Sequence, residues 1–250
     1  MDNQEIIRCR DHRPFELPED PWVMKQVWNK LLLAHWPVRQ EELLPCIPDG
    51  LELDLWEGEA WLSLIPFYIT GLRLRGTPPV LWLSRFAELN VRTYVTCGGK
   101  PGIFFFSLDA ERRLAVETAR LLHLPYMYAR MFVGRENDWI TYRSERRDRR
   151  GRPAVFEALY RPAGGEKFTA QPGTLLYWLT ERYRLYAADG AGKLYAGDIH
   201  HIPWELQEAE LRIRRNTMAE AHGIYPRSQQ PALISFAERQ ETLFWPIRRL

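Results

Sequence analysis

The feature that most constrains this chain is a series of segments in which apolar and polar residues alternate, separated by turn sequences. Alternation begins at residue 51, turns at Glu57-Gly58, and recurs over residues 85–96, before the glycine-rich segment 97–102. Further turn sequences lie at residues 163–166 and 188–192. A period of two residues is typical of half-buried strands, and short turns join antiparallel neighbours. The pattern therefore predicts a mostly antiparallel sheet.

Two substantial helices are expected beside the strands. Residues 22–36 follow an N-cap and first-turn proline at Asp20-Pro21 and carry an apolar stripe at helical spacing. A second helix is expected to begin at Ser107 or Asp109 and to end at Pro125, and a shorter one to cover residues 39–44. With no long linker and no repeat, the chain is predicted to be a single α+β domain over residues 1–250.

Composition narrows the choice of partners. The formal net charge is only +2, which gives no general argument for nucleic acid or an anionic membrane as partner. Aromatic residues are unusually frequent, with 11 Phe, 11 Tyr and 10 Trp, and bulky rings suit a large core or the interior of a wide barrel. We expect neither nucleic acid nor membrane as a partner.

The cysteines and the N-terminal segment indicate a location. Cys9, Cys46 and Cys97 are isolated, an odd and sparse set that is typical of a reducing compartment. The sequence has no apolar stretch of membrane-spanning length, and its charged N-terminal segment lacks a signal-peptide core. A cytoplasmic protein is predicted.

One alternating segment carries chemically useful side chains. On a strand, Glu88, Asn90, Arg92 and Tyr94 share one face, while Leu89 and its alternate neighbours share the other. The polar row either faces solvent, as on many amphipathic strands, or lines a barrel or cleft, where a carboxylate beside a guanidinium can orient a ligand. The residues alone leave both interpretations open.

The adjacent pair His200-His201 is a second candidate. On a strand the two rings point to opposite faces, and no HxH or HxxxH spacing supports a metal site. The simplest interpretation has one ring packed and hydrogen-bonded and the other exposed, with His35 a satisfied core histidine. Two alternatives stay open: a metal site, if His35 or His123 meets one of the pair in space, and acid–base chemistry by one of the pair.

Arginines are concentrated in residues 143–152, but Glu145 and Asp148 dilute the run and Gly151 marks a turn. A solvated hairpin tip is therefore favoured over a phosphate or nucleic-acid contact. Phosphate-loop, dinucleotide and nucleophile-elbow motifs do not occur in the sequence.

Five segments taken together resemble a known family. FAELNVRTYV, GKPGIFFFSLDA, ARLLHLPYMYARM, LTERYRLY and IHHIPWELQ occur in this order and resemble the YqjF-like family of bacterial proteins, a domain of unknown function. That family is similar in fold to acetoacetate decarboxylase, a β-barrel or cone with a central cavity. The resemblance implies that Glu88 points into the cavity, and so favours the inward interpretation of the polar row.

The same resemblance exposes a chemical difference. Acetoacetate decarboxylase forms a Schiff base with a lysine whose pKa is depressed by a neighbouring lysine. Where the resemblance places those two lysines, this chain has Tyr126 and Met127, neither of which can form an imine. The five lysines, at positions 25, 30, 100, 167 and 193, are all expected on helix faces or in turns. Schiff-base decarboxylation is therefore not expected.

Three functions remain open at this stage: a small-molecule-binding protein, an enzyme with acid–base chemistry in the same pocket, and an oligomeric interaction protein. We favour binding of a small polar or anionic organic ligand, with no cofactor and no metal, in a protein that could form a homo-oligomer. Glu88 and His201 are the candidate catalytic residues. The predicted ligand-binding residues are Glu88, Asn90, Arg92, Arg120, Tyr126, His200 and His201.

Overall fold

The computed structural model describes residues 2–79 and 84–250, and this part of the chain is built mainly from strands. The strands are β1 (Met24–Val38), β2 (Glu52–Leu53), β3 (Ala60–Leu74), β4 (Phe86–Cys97), β5 (Lys100–Ala110), β6 (Tyr126–Glu136), β7 (Trp139–Arg146), β8 (Val155–Pro162), β9 (Arg184–Ala188), β10 (Leu194–His200), β11 (Leu206–Gln207), β12 (Ala209–Asn216), β13 (Leu233–Phe244) and β14 (Arg248–Arg249). The helices are α1 (Asn3–Arg8), α2 (Gln40–Leu43), α3 (Arg113–Arg120) and α4 (Leu175–Thr180), with 3-10 turns at Leu44–Cys46 and Glu220–His222.

Seven of the strands close into a ring. Their order is β5, β9, β10, β13, β1, β3 and β4, and β4 pairs again with β5. All of these pairings are antiparallel except β5 with β9, which is parallel over Ile103 and Phe104. A closed ring has an interior, so alternate side chains of each strand point into it.

A second, antiparallel sheet is formed by β6, β7, β8 and β12 and joins the ring through a parallel pairing of β6 with β5. Its aromatic residues, among them Tyr142, Phe156 and Tyr160, pack in one cluster with the outward-facing residues of the ring. A different cluster, which includes Leu31 and Phe105, fills part of the ring interior. The fold is therefore α+β and mostly antiparallel, as predicted.

The predicted helix over residues 22–36 is wrong, because this segment is strand β1. Its apolar residues are buried on both faces: Leu31 and Leu33 belong to the interior cluster, while Leu32, Ala34 and Trp36 belong to the cluster under the second sheet. A strand that is buried on both faces has a nearly continuous run of apolar residues. The spacing of apolar residues in such a run does not distinguish a strand from a helix.

The second predicted helix exists only over α3, eight residues long. Ser107 and Asp109 do not cap it, because β5 continues through Ala110 and buries both side chains. The short helix predicted at residues 39–44 corresponds to α2 and the 3-10 turn that follows it. The turn at Glu57-Gly58 is also present, with both residues at positive φ and a bridge between Trp56 and Glu59. Among residues 2–79 and 84–250, the longest helix is therefore α3, with eight residues.

Within residues 2–79 and 84–250, no helix is long and apolar enough to cross a membrane.

Candidate functional site

A cavity of about 910 Å³ lies inside the ring. Its walls are mainly apolar side chains, contributed for example by Leu31 and Leu33 of β1, Ile65 and Phe67 of β3, and Phe105 of β5. Ala115, Thr118 and Ala119 of α3 border it as well. Ligand sites of proteins are typically concave, largely apolar and of this size, with a few placed polar groups.

The polar row of β4 supplies such groups. Glu88, Asn90 and Arg92 all line the cavity, while Leu89 and Val91 point to the other side, into the cluster under the second sheet. Glu88 and Asn90 are buried. The row is therefore on the interior face of the ring and not in solvent, because the closure of β4 onto both β3 and β5 turns that face inward.

Glu88 is held in a nearly dry environment, with only 3% of its surface exposed. Burial raises the pKa of its carboxyl to about 8, although hydrogen bonds from Tyr126 and Asn90 act in the opposite direction. The Tyr126 hydroxyl donates to Glu88 Oε2 at 3.1 Å, and burial together with Glu88 raises the pKa of that phenol as well. At neutral pH Glu88 is mostly a neutral acid that can both donate and accept.

A second arginine, which the sequence analysis missed, lies on the same cavity wall as Arg92. Arg182 follows α4 in the chain and is buried; its Nη1 donates to Asp54 at 2.5 Å and its Nε to the Trp178 carbonyl at 2.6 Å. It belongs to the segment LTERYRLY, but neither helical nor strand periodicity covers the position after α4.

Three polar atoms on this wall are buried without a hydrogen-bond partner: Asn90 Oδ1, Arg92 Nε and Arg182 Nη2. Buried polar atoms are nearly always paired in proteins, so each unpaired one calls for an explanation. The Arg92 Nη2 contact to the Leu179 carbonyl, at 3.4 Å, is long. All three atoms belong to residues that line the cavity.

The rings of His200 and His201 point to different sides of the strand, as their adjacent positions predict. Both are buried, however, so the expectation that one ring is exposed is wrong. His201 lines the cavity, where Nδ1 donates to the Ile202 carbonyl at 2.7 Å and burial lowers its pKa to about 3. The ring is thus neutral, with Nε2 as an acceptor. His200 is outside the cavity lining, and its Nε2 donates to the Ile6 carbonyl at 2.8 Å. This bond ties α1 to the ring.

Other candidates lie outside the cavity. Arg120 is not among its lining residues and donates from Nη1 to the Tyr126 carbonyl at 2.9 Å, which steadies the connection from α3 to β6. His35 is a core residue, as expected, but only half satisfied: Nδ1 contacts Ser63 Oγ at 2.7 Å, while Nε2 has no partner. Among the described residues, no group of three or more His, Cys, Asp and Glu side chains is placed to hold a metal ion.

The arginine-rich segment forms the connection between β7 and β8, as the hairpin prediction has it. One of its arginines is not solvated, however. The side chain of Arg146 is fully buried and donates to both carboxylate oxygens of Asp109, at 2.9 and 2.7 Å, and to Ser107 Oγ at 2.7 Å. Ser107 and Asp109, expected as helix caps, are instead the partners of this buried guanidinium.

The lysine positions bear on the chemistry of the cavity. Tyr126 lines it, and in the described part of the chain none of the lining residues is a lysine. Lys25 and Lys30 lie on β1 and not on a helix as expected. Lys25 is buried, but its Nζ pairs with Glu241 at 2.6 Å, and its strand neighbours Met24 and Gln26 are the residues that line the cavity.

Comparisons with known proteins agree with this architecture. The model of the DUF2071 family, described as an uncharacterized conserved protein, matches residues 25–241. The uncharacterized protein YqjF of Bacillus subtilis (strain 168) is 50% identical over 234 residues, which cover 93% of this chain and 95% of YqjF.

Solved structures with the same fold share little sequence with it. The enduracididine biosynthesis enzyme MppR, complexed with pyruvate, matches with a TM-score of 0.63 at 13% identity over 92% of this chain and 91% of that one. Acetoacetate decarboxylase from Legionella pneumophila subsp. pneumophila str. Philadelphia 1 matches with a TM-score of 0.59 at 14% identity, over 95% and 91% of the two chains. A further acetoacetate decarboxylase structure gives 0.61 at 14% identity, over 100% and 98%.

Proposed function

Because the chain belongs to the DUF2071 family of YqjF-like proteins and has the fold of acetoacetate decarboxylase, we propose that it binds a small polar or anionic organic molecule inside its ring of strands. The observation that carries this proposal is the polar row of β4 on the wall of the cavity, in which Glu88 and Asn90 are buried. Keeping Glu88 and Asn90 out of water, with Arg92 half-buried beside them, costs stability, which a protein recovers when a ligand satisfies such groups.

The proposal excludes imine chemistry. Tyr126 occupies the cavity wall at the position where the resemblance places a lysine, and a phenol cannot condense with a carbonyl group. Treating the protein with pyruvate and sodium borohydride should therefore leave its mass unchanged. A trapped lysine adduct, located by peptide mapping, would overturn this part of the proposal.

Thermal-shift screening tests ligand binding directly, since a molecule that binds only the folded state raises the melting temperature. The panel should contain small carboxylates, 2-oxo acids including the pyruvate seen in complex with MppR, and their neutral amides. Glu88→Leu removes the hydrogen-bonding group from the cavity, so the shift given by any hit should be lost while the variant still folds. Glu205→Leu, at an exposed position paired with Lys167, is the matched control and should retain the shift.

Acid–base catalysis in the same cavity is the second candidate function, and the observation that favours it is the raised pKa of Glu88, about 8. A carboxyl group with a pKa near neutrality is suited to both accepting and donating a proton. The test is hydrogen–deuterium exchange at the carbon next to the carbonyl of pyruvate or 2-oxobutanoate, followed by NMR in D₂O. Acceleration that disappears in Glu88→Gln would support an enzyme, whereas binding without exchange would favour a binding protein.

Location and assembly are parts of the same proposal. The three cysteines are free, which suits the cytoplasm, and we include that compartment. The homo-oligomer remains a prediction, to be checked by light scattering coupled to size-exclusion chromatography.

A further inference from the structure

Two arginine side chains from different parts of the chain share one wall of the cavity. Arg92 comes from β4 and Arg182 from the segment after α4, and both guanidinium groups lie near the Tyr94 ring, at 6.0 and 5.0 Å from its centroid. Both donate to carbonyls at the end of α4, Arg92 to Leu179 and Arg182 to Trp178. The two cations are thus held close to each other before any ligand arrives.

Each guanidinium keeps one buried N–H group without a partner, Nε of Arg92 and Nη2 of Arg182. The other contacts of Arg182 fix its plane: it donates to Asp54 and stacks over the Trp178 ring at 4.2 Å. Two donors on neighbouring, positively charged planar groups match the two oxygens of a carboxylate.

The charges around the cavity define how much negative charge this site can take. Asp54 compensates Arg182, and Asp198, which also lines the cavity, pairs with Arg184 at 2.8 Å. In the described part of the chain Arg92 has no carboxylate within ion-pair distance, and Glu88 on the same row is mostly neutral at pH 7. The positive charge of Arg92, which is half-buried, is therefore left without a counter-charge, and this fits a ligand with a single negative charge better than a phosphate ester.

Glu88 and Asn90, the other two polar residues of the row, indicate what the far end of the ligand would contact. Glu88 and Arg92 are four residues apart on a strand, or about 13 Å between their Cα atoms. Between them lie the unpaired Asn90 Oδ1 and the apolar walls of the ring. A ligand anchored at the arginines would therefore present an apolar middle section and an oxygen toward the protonated Glu88.

We propose that Arg92 and Arg182 form a carboxylate subsite, so that the molecule bound in the cavity is an organic monocarboxylate with an apolar chain. This inference rests on the proposed function, because it names the class of ligand that the same cavity takes.

Isothermal titration calorimetry with three matched probes tests the subsite: hexanoate, hexanamide and hexylphosphonate. Hexanoate should bind the full-length protein more tightly than the other two, since hexanamide lacks the charge and hexylphosphonate carries more charge than one arginine compensates. Arg92→Gln should weaken hexanoate binding by about 10- to 100-fold, the usual effect of removing hydrogen bonds to a charged group, and leave hexanamide unaffected. Arg120→Gln, just outside the cavity, is the control and should bind hexanoate like the parent protein.

A second variant guards against an effect on folding. The double substitution Asp54→Asn with Arg182→Gln removes both charges of the ion pair together. It should weaken hexanoate binding through the lost donor, while the charge of Arg92 keeps hexanoate preferred over hexanamide. Equal binding of hexanoate and hexanamide, unchanged in Arg92→Gln, would overturn the subsite but leave the proposed binding function standing. If no probe binds and the thermal-shift panel has no hit either, both proposals fail.

Discussion

Two clusters of charged and polar side chains inside this molecule are built in opposite ways. Arg146 and Asp109 lie between β5 and β7, with both side chains fully buried, and they satisfy each other through two hydrogen bonds with further bonds to Ser107 and the Arg152 carbonyl. On the cavity wall, Arg92 has no carboxylate partner in the described chain, and the buried donor Nε is unpaired. The first cluster is complete within the protein, and the second is not.

The difference indicates what each cluster does. A buried pair that is fully hydrogen-bonded contributes to the folded state as a unit, and removing one partner leaves an uncompensated charge. An incomplete cluster lowers stability in the free protein and gains from a ligand that completes it. We therefore expect substitutions at Asp109 and Arg146 to affect folding, and substitutions at Arg92 to affect binding.

The largest effect is expected at the complete cluster. Asp109→Asn should lower the free energy of unfolding by about 3–5 kcal/mol, because Arg146 is left buried without its counter-charge. Urea denaturation measures the change. The double variant Asp109→Leu with Arg146→Met should recover much of the loss, and a single-variant loss below about 1 kcal/mol would show that water reaches this pair.

The pH dependence of stability is the next largest effect, and it tests the incomplete cluster. The pKa of Glu88 is raised from its ordinary 4.5 to about 8, so the folded protein binds this proton more tightly than the unfolded chain. The stabilising contribution is complete below pH 4.5 and is lost as pH rises through 8, in total at most about 5 kcal/mol. Glu88→Gln does not titrate, so its unfolding free energy should lack this decline.

Buried histidines act in the opposite direction, which makes the comparison with the variant necessary. Burial lowers the pKa of His201 to about 3 and of His200 to about 4, so their contribution to stability grows as pH rises toward 6.5. Parent and variant share these terms. A parent curve parallel to that of Glu88→Gln between pH 5 and 9 would mean that Glu88 is ionised in the folded protein.

A smaller effect is expected for Tyr126→Phe, which removes the hydroxyl that donates to Glu88. The loss of one buried hydrogen bond should lower stability by about 1 kcal/mol. Because that bond favours the charged carboxylate, its removal should also raise the pKa of Glu88 above about 8. The measurement is the midpoint of the pH-dependent decline in stability, and a downward shift would contradict the assignment.

The smallest effect should be that of Arg92→Gln on the free protein. The substitution breaks no ion pair in the described chain, so the free energy of unfolding should change by less than about 1 kcal/mol. Either an increase or a decrease of that size agrees with the proposal. Urea denaturation of Arg92→Gln, measured in parallel with Asp109→Asn, compares the two losses of unfolding free energy directly. If Arg92→Gln were as destabilising as Asp109→Asn, the two clusters would be alike and the functional distinction would fail.

Part of this fold and site could be predicted from local sequence, and the errors have identifiable causes. Strand β4 has one polar and one apolar face, so its period of two residues is visible, and the grouping of Glu88, Asn90 and Arg92 follows from it. Strand β1 is buried on both faces, so its sequence imitates a helix. Asp109 has the residue type of a helix cap, yet it is the partner of Arg146 from another strand.

The cavity wall was only half predictable. Arg92 belongs to an alternating strand, and its face follows from the pattern. Arg182 comes after α4, at a position governed by neither period, and its neighbour on the wall is 90 positions earlier in the sequence. His201 lines the cavity, while His200 anchors α1. Adjacent positions on a strand predict that the two rings face opposite sides, but not which ring faces the cavity.

By itself the sequence determined the class of the fold, the family and the set of polar side chains that share a face of β4, because these depend on local periodicity and on residue identity. Only the tertiary structure decided that this face is the inner one, that Arg182 joins Arg92, and that Glu88 is a neutral acid. The physical reason is ring closure: pairing between β4 and β5 closes a seven-stranded ring, which removes the polar row from water and brings together residues from distant parts of the chain.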